Sequence, residues 1–218
     1  ICDHIFTGIS VQRAVKTSTG FNVPSEISIV NFSWNQGILV SKFHRFIKPD
    51  IPRGFRADAL RETEIHRIPP EGGPNCSNDL DRILSGMQDF VSYVDDRGFV
   101  FCADAEYETV RDCLKYIEKR VTSISNRRNM TIIRIADLFL ALKWWNHMDH
   151  AKVDDLPTEE QLEIEMSVVK ECLSRSCYTF KANIRCDFHK QKDVAFCSLS
   201  TANKSWLHLL DYLDKEYP

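Results

Sequence analysis

The strongest constraint on the fold of this chain lies in residues 27–47. Ile27, Ile29, Val30 and Phe32 precede Asn35-Gln36-Gly37, and Ile38, Val40, Phe43, Phe46 and Ile47 follow it. Apolar runs rich in β-branched and aromatic side chains, broken by such a turn, specify a β-hairpin. Helices and short strands come after it. Leu80, Ile83, Leu84, Met87, Phe90, Val91 and Val94 keep the 3.6-residue period, with Ser77 or Asn78 placed to cap and Gly98 beyond the end. Phe99 to Cys102 reads as a short buried strand, and Val110, Cys113, Leu114, Ile117 and Val121 mark a second helix. Thr131 to Ile135 fits a strand or a helix start, leading into a helix with Leu138, Phe139, Leu142 and Trp145. Thr158, Glu159 and Glu160 open an acidic-ended helix, and Asn203 to Leu213 forms the last, with Trp206, Leu209, Leu210 and Leu213 on one face.

Two stretches lack a periodic apolar face. The Pro-, Gly- and Arg-rich run from Pro49 to Pro74 is expected to wander over the surface, and His147 to Pro157 reads as a loop. No repeat or low-complexity segment divides the chain, so residues 1–218 are expected to form one α/β domain. Apolar residues at 43% and charged residues at 27% exclude wholesale disorder. No run approaches the roughly 18 to 20 apolar residues of a membrane helix, so no membrane contact is expected. The chain opens at Ile1-Cys2 with no initiator Met and no charged leader, and is expected to be a piece of a longer protein. Its eight cysteines are too dispersed for a small disulfide scaffold and suggest a reducing compartment. A net charge of −3 argues against coating nucleic acid by bulk electrostatics, so any phosphate contact needs a local basic patch.

The chemistry-bearing segment runs from Arg185 to Cys197, where Cys186, His189 and Cys197 fall close together. Zinc takes thiolate and imidazole ligands, and a C-x2-H turn followed by a later Cys can bring three of them to one ion. Glu26, the only Glu before Glu62, is a candidate fourth at the start of the hairpin. Two thiolates, a carboxylate and a neutral imidazole would bring −3 against +2, a closed structural site. From spacing alone the competing reading stands: cysteines as small buried hydrophobes and a histidine satisfied in the core.

Other constellations are thinner. Cys2-Asp3-His4 are adjacent, and adjacent strand residues point to opposite faces. Asp104, Glu106 and Glu108 follow a strand and could hold a divalent ion, or simply favour a helix start. Basic residues gather at Arg53, Arg56, Arg61 and Arg67, with Phe55 between the first two, and again at Lys119, Arg120, Arg127 and Arg128. Phe55 flanked by guanidiniums could stack a base, with Arg127 and Arg128 as further phosphate contacts; a solvated face is the plainer alternative.

With Glu26, Cys186, His189 and Cys197 assembled, the chain resembles the Maelstrom domain of the germline Piwi-interacting RNA (piRNA) pathway. Further likeness lies in Ser25-Glu26-Ile27, Phe43-His44-Arg45-Phe46-Ile47-Lys48-Pro49, Ile51-Pro52-Arg53-Gly54-Phe55-Arg56, Phe99-Val100-Phe101-Cys102, and Cys197-Ser198 with Trp206 behind it. The resemblance implies a ribonuclease H-like mixed sheet flanked by helices, related to DnaQ-type 3′-to-5′ exonucleases, with structural zinc on the quartet. It implies an N-terminal HMG box outside this sequence. It also implies single-stranded RNA binding, Piwi-pathway protein partners, transposon silencing in gametogenesis and meiosis, and location in perinuclear germ granules (nuage), cytoplasm and nucleus.

The exonuclease carboxylates are not all present. Asp3 has Ile5 where a paired Glu belongs, Tyr107 stands near an expected Asp, and His189 with Asp193 imitates the terminal pair while zinc claims His189. The family resemblance implies metal-independent endonuclease action on single-stranded RNA, but no catalytic set is evident; His44 with Arg45 and His66 with Arg67 are the nearest pairs. The rival readings are an inactive nuclease-fold scaffold for protein contacts and a surviving metal-dependent exonuclease built on Asp3, Glu106 and His189.

Overall fold

A computed structural model describes residues 4–33, 35–122, 129–148, 157–174 and 184–216. The expected hairpin is there, longer at its start: β2 (Asn22–Ser33) and β3 (Gly37–Phe46) pair antiparallel, Ile29 opposite Phe43 and Glu26 opposite Phe46. Gly37 takes the left-handed conformation, φ 69°, that the turn demands. On the other side of β2 lies β1 (Ile5–Lys16), which the sequence pattern leaves unassigned. It is the middle strand of five, ordered β3-β2-β1-β4-β5, where β4 is Phe99–Cys102 and β5 is Thr131–Arg134. A central strand covered on both faces buries Thr7 and Ser10 along with Phe6, Ile9 and Val11, so it shows no alternation to read. β1 runs antiparallel to β2 and parallel to β4, and β4 parallel to β5, giving a mixed α/β sheet.

The strand period of two sorts the core into two clusters. Ile9, Val11 and Val15 of β1 with Ile27 and Ile29 of β2 pack against α2 (Leu80–Ser92) and α3 (Tyr107–Glu118). Phe6, Val30, Phe32 and Phe101 pack against α4 (Ile135–Met148) and α7 (Ser198–Glu216). Several boundaries move. Asp79, not Ser77 or Asn78, caps α2, accepting the Arg82 N–H at 2.9 Å. α5 (Glu159–Ser174) starts as expected, with Thr158 and Gln161 exchanging backbone-to-side-chain bonds of 2.8 and 3.3 Å, a capping box. α4 runs two residues into the expected 147–157 loop, most of which (149–156) lies outside the described residues, and α7 starts five residues earlier than Asn203.

The largest correction is in the 49–74 run, which contains α1 (Arg56–His66). This helix has no apolar stripe to detect. Its buried residues are Ala59 and His66, and polar bonds tie it to β1: Arg13 Nε to Glu62 at 2.8 Å, and His66 Nε2 to the Arg13 carbonyl at 3.1 Å. Among the described residues no helix is long and apolar enough to cross a membrane.

Candidate metal centre

Three separate elements converge on one buried point. Glu26 lies on β2 in the even-numbered series that faces α7, as Ser28 does, whose hydroxyl is 2.6 Å from that of Ser198. Cys186 flanks α6 (Asp187–Gln191) in an extended conformation, and His189, three residues on, falls on the same side of this single turn. Asp193, at φ 51°, turns the chain back, so that Cys197 arrives at the start of α7. Glu26, His189 and Cys197 are fully buried and Cys186 is 8% exposed.

Cys186 Sγ lies 3.1 Å from His189 Nδ1, and Glu26 Oε1 lies 3.4 Å from His189 Nδ1, 3.7 Å from Cys186 Sγ and 3.8 Å from Cys197 Sγ. A tetrahedron with metal–ligand bonds of 2.0 to 2.3 Å has edges of roughly 3.3 to 3.8 Å; three of these four separations fall in that range and the Cys186–His189 one is shorter, so the donors are gathered closely enough for a four-coordinate site. Among the described residues, this quartet is the one group of His, Cys, Asp and Glu whose ligand atoms all lie within 4.8 Å of one another. Its surroundings orient the donors. His189 Nε2–H donates to the His66 carbonyl at 2.8 Å, which leaves Nδ1 facing inward, the usual arrangement around a metal-binding imidazole. Glu26 Oε2 accepts the Ser198 N–H at 2.9 Å at the positive end of α7.

Without a cation the quartet is held by protons. Burial alone would raise the Glu26 carboxyl, but hydrogen bonds and charge from His189 and His44 hold it near 2. Burial alone would lower the His189 imidazole, but its bonds to Cys197 and Glu26 carry it to about 10. The Cys197 thiol is pushed up by its contact with Cys186 and by burial, while the same contact lowers Cys186. A divalent cation would displace these protons.

The remaining sequence candidates scatter. Arg53 and Arg56 are exposed, but Phe55 packs half-buried against the core and Arg56 pairs with Glu71 at 2.8 Å. Arg127 and Arg128, like Asp3, lie outside the described residues. His66 is 2% exposed and fully bonded, accepting the Ile68 N–H at Nδ1 and donating to Arg13, with burial lowering its pKa; it is a core residue, not a base facing substrate. His44 instead reaches the quartet, Nε2 lying 2.7 Å from Glu26 Oε1. Sequence reading missed this contact, the Ser198 amide and the His66 carbonyl.

Glu106 buries an unpartnered carboxyl oxygen, and burial, opposed by Ser10, raises its pKa from 4.5 to about 7. The folded state therefore binds a proton that the unfolded state has lost, and stability falls as pH rises from about 4.5 to 7. Glu106→Gln is expected to remove that slope and stabilise the chain at pH 8 by about 2 to 3 kcal/mol. Urea midpoints at pH 5 and pH 8 check it, and an unchanged slope in the variant refutes it.

Two solved structures share the fold. Cell-death related nuclease 4 superposes with a TM-score of 0.53 at 10% identity, covering 98% of this chain and 65% of that one. Exonuclease I of E. coli, in complex with an oligonucleotide, gives 0.50 at 10% identity over 98% of this chain and 43% of that one. The nuclease fold is thus shared, and at this identity nothing more is shared by inference. Among curated proteins, the maelstrom homologues of Sus scrofa and Homo sapiens are each 24% identical to this chain over 84% of its length, and that of Xenopus tropicalis is 25% identical over 84%. The chain spans 38% of the first two relatives and 40% of the third. Residues 15–218 match the family described as a piRNA pathway germ-plasm component, and the chain belongs to the Maelstrom family.

Proposed function

We propose that residues 1–218 form a single Maelstrom domain that binds single-stranded RNA in piRNA-guided transposon silencing, built around one structural zinc on Glu26, Cys186, His189 and Cys197. The closed quartet carries this reading. Four protein donors leave no open position for substrate or activated water, so such a metal would tie β2, α6 and α7 together rather than act on a substrate. Arg53 and Arg56, and Arg127 and Arg128 outside the described residues, would add phosphate contacts; Phe55 would add stacking only by leaving the core. Piwi-pathway proteins are the expected partners, in germ granules and nucleus.

Metal-independent cleavage of single-stranded RNA is the enzymatic form of this proposal. A non-catalytic scaffold is the second reading, favoured by the burial of His66 and of the Glu106 carboxyl. An exonuclease on Asp3, Glu106 and His189 is the weakest, since His189 is enclosed by Glu26 and the cysteines.

End-labelled single-stranded RNA and matched duplex, with and without a brief EDTA treatment that leaves zinc bound, separate the readings. Preferential binding of the single strand is the expected result. Internal cuts that survive EDTA add the endonuclease, metal-dependent trimming from the 3′ end revives the exonuclease, and absence of binding refutes RNA as the ligand.

A further inference from the structure

Immediately outside the quartet, a cleft of about 550 Å³ opens between β3 and α6. Lys42 and Arg45 reach it from β3, Arg185 and Lys190 from the α6 side, and the rings of Phe46 and Phe188 line it. It adjoins a cavity of about 520 Å³ that shares Arg45 and one of about 240 Å³ that shares Lys42, Arg185 and Lys190, so the three form a groove beside the edge strand.

Two of its four cations are uncommitted among the described residues, and the other two have exposed partners. Lys42 and Arg45 are exposed and have no carboxylate partner among the described residues; Arg45 sits 5.2 Å over the Phe43 ring and donates to the His44 carbonyl. Lys190 lies 3.6 Å from Asp187, whose side chain is 93% exposed, and Arg185 bonds the Val194 carbonyl at 3.0 Å and Asp193 at 3.3 Å. In a chain of net charge −3, this is a local concentration of positive charge.

We propose that this groove seats the backbone of the single strand, with phosphates on Lys42, Arg45 and Lys190 and a base against the half-buried Phe188, whose ring is backed by the buried Phe46 at 5.4 Å. The inference rests on the RNA reading above. A row of joined cavities with cations along it suits a linear polyanion better than a single phosphate. Rings interleaved with those cations suit unpaired bases better than an acidic peptide. The groove also couples binding to the metal: His44 lines it and reaches Glu26, and α6 carries both Lys190 and His189.

The test is the salt dependence of binding of a fluorescent oligouridylate to the chain and to Lys42→Glu/Arg45→Glu/Lys190→Glu, with zinc content and thermal midpoint as controls. Each lost phosphate contact flattens the log–log slope by about 0.7, so the triple variant is expected to lose about 2 from the slope and about 100-fold in affinity at 0.1 M salt. If the chain binds and the folded variant stays within threefold of it, the groove is not the site and the RNA reading survives. If the unaltered chain does not bind, both fail. Poly-glutamate competing as well as RNA would make the groove a peptide site and overturn the proposal. Should the triple variant not fold, photocrosslinking of 4-thiouridine RNA to the unaltered chain decides: adducts in 42–46 or 185–190 support the groove, and adducts confined elsewhere refute it.

Discussion

Cys186→Ser and His189→Ala are each expected to yield protein without bound zinc and without a cooperative thermal transition. The quartet is where β2, α6 and the start of α7 meet, and α6 is five residues long, too short to persist on its own helical propensity. Structural zinc contributes about 10 to 16 kcal/mol in small zinc domains, comparable to the 5 to 15 kcal/mol stability of a whole domain. Losing one ligand weakens the metal and leaves the others buried: Glu26 would face Ser198 and the histidines with its charge incompletely balanced. Glu26→Gln keeps the shape, removes the charge, and should retain zinc more weakly than the unaltered chain. Metal analysis of purified protein and circular-dichroism melting decide the matter. Equal midpoints, with no metal in either variant or parent, would show that the quartet holds only protons.

The residue types and local spacing of the quartet are legible in the sequence; its closure is not. Glu26 is 160 positions from Cys186, and only the sheet brings it under α6 and α7. The groups that fix the ligands' orientation include the Ser198 amide and the His66 carbonyl, backbone atoms that no residue pattern distinguishes. The fold divides in the same way. The hairpin and α2, α3 and α7 carry periodic apolar faces and could be read. β1 could not, because burial on both faces erases alternation, and α1 could not, because Arg13–Glu62 and the His66 bonds hold it where an apolar stripe ordinarily would. Basic clusters that are local in sequence, Arg53 to Arg67 and Lys119 to Arg128, are legible; the groove is not, because it joins Lys42 and Arg45 to Arg185 and Lys190 across most of the chain.

Trp206→Ala is expected to lower the thermal midpoint by about 6 to 20 °C. The indole is fully buried, stacked on Phe32 at 4.9 Å and 3°, with Phe6 and Phe101 each at 5.9 Å. It lies over Gly8, where β1 pairs with Val30 on one side and Phe101 on the other, at the centre of the sheet. Removing it costs about 3 to 5 kcal/mol, and each kcal/mol is worth about 2 to 4 °C in a chain of this size. Trp206→Phe should cost less, since it keeps most of the volume and removes an indole N–H that has no partner among the described residues. The contact with Gly8 separates this account from a general loss of packing. A Cβ on Gly8 would collide with the indole nitrogen of Trp206, so Gly8→Ala must displace the ring in the parent but is relieved of that clash once the ring is gone. The double variant should therefore be more stable than the sum of the two single losses predicts, by at least about 1 kcal/mol. Additive losses would mean that Gly8 is needed for its backbone and not for the space it yields to Trp206.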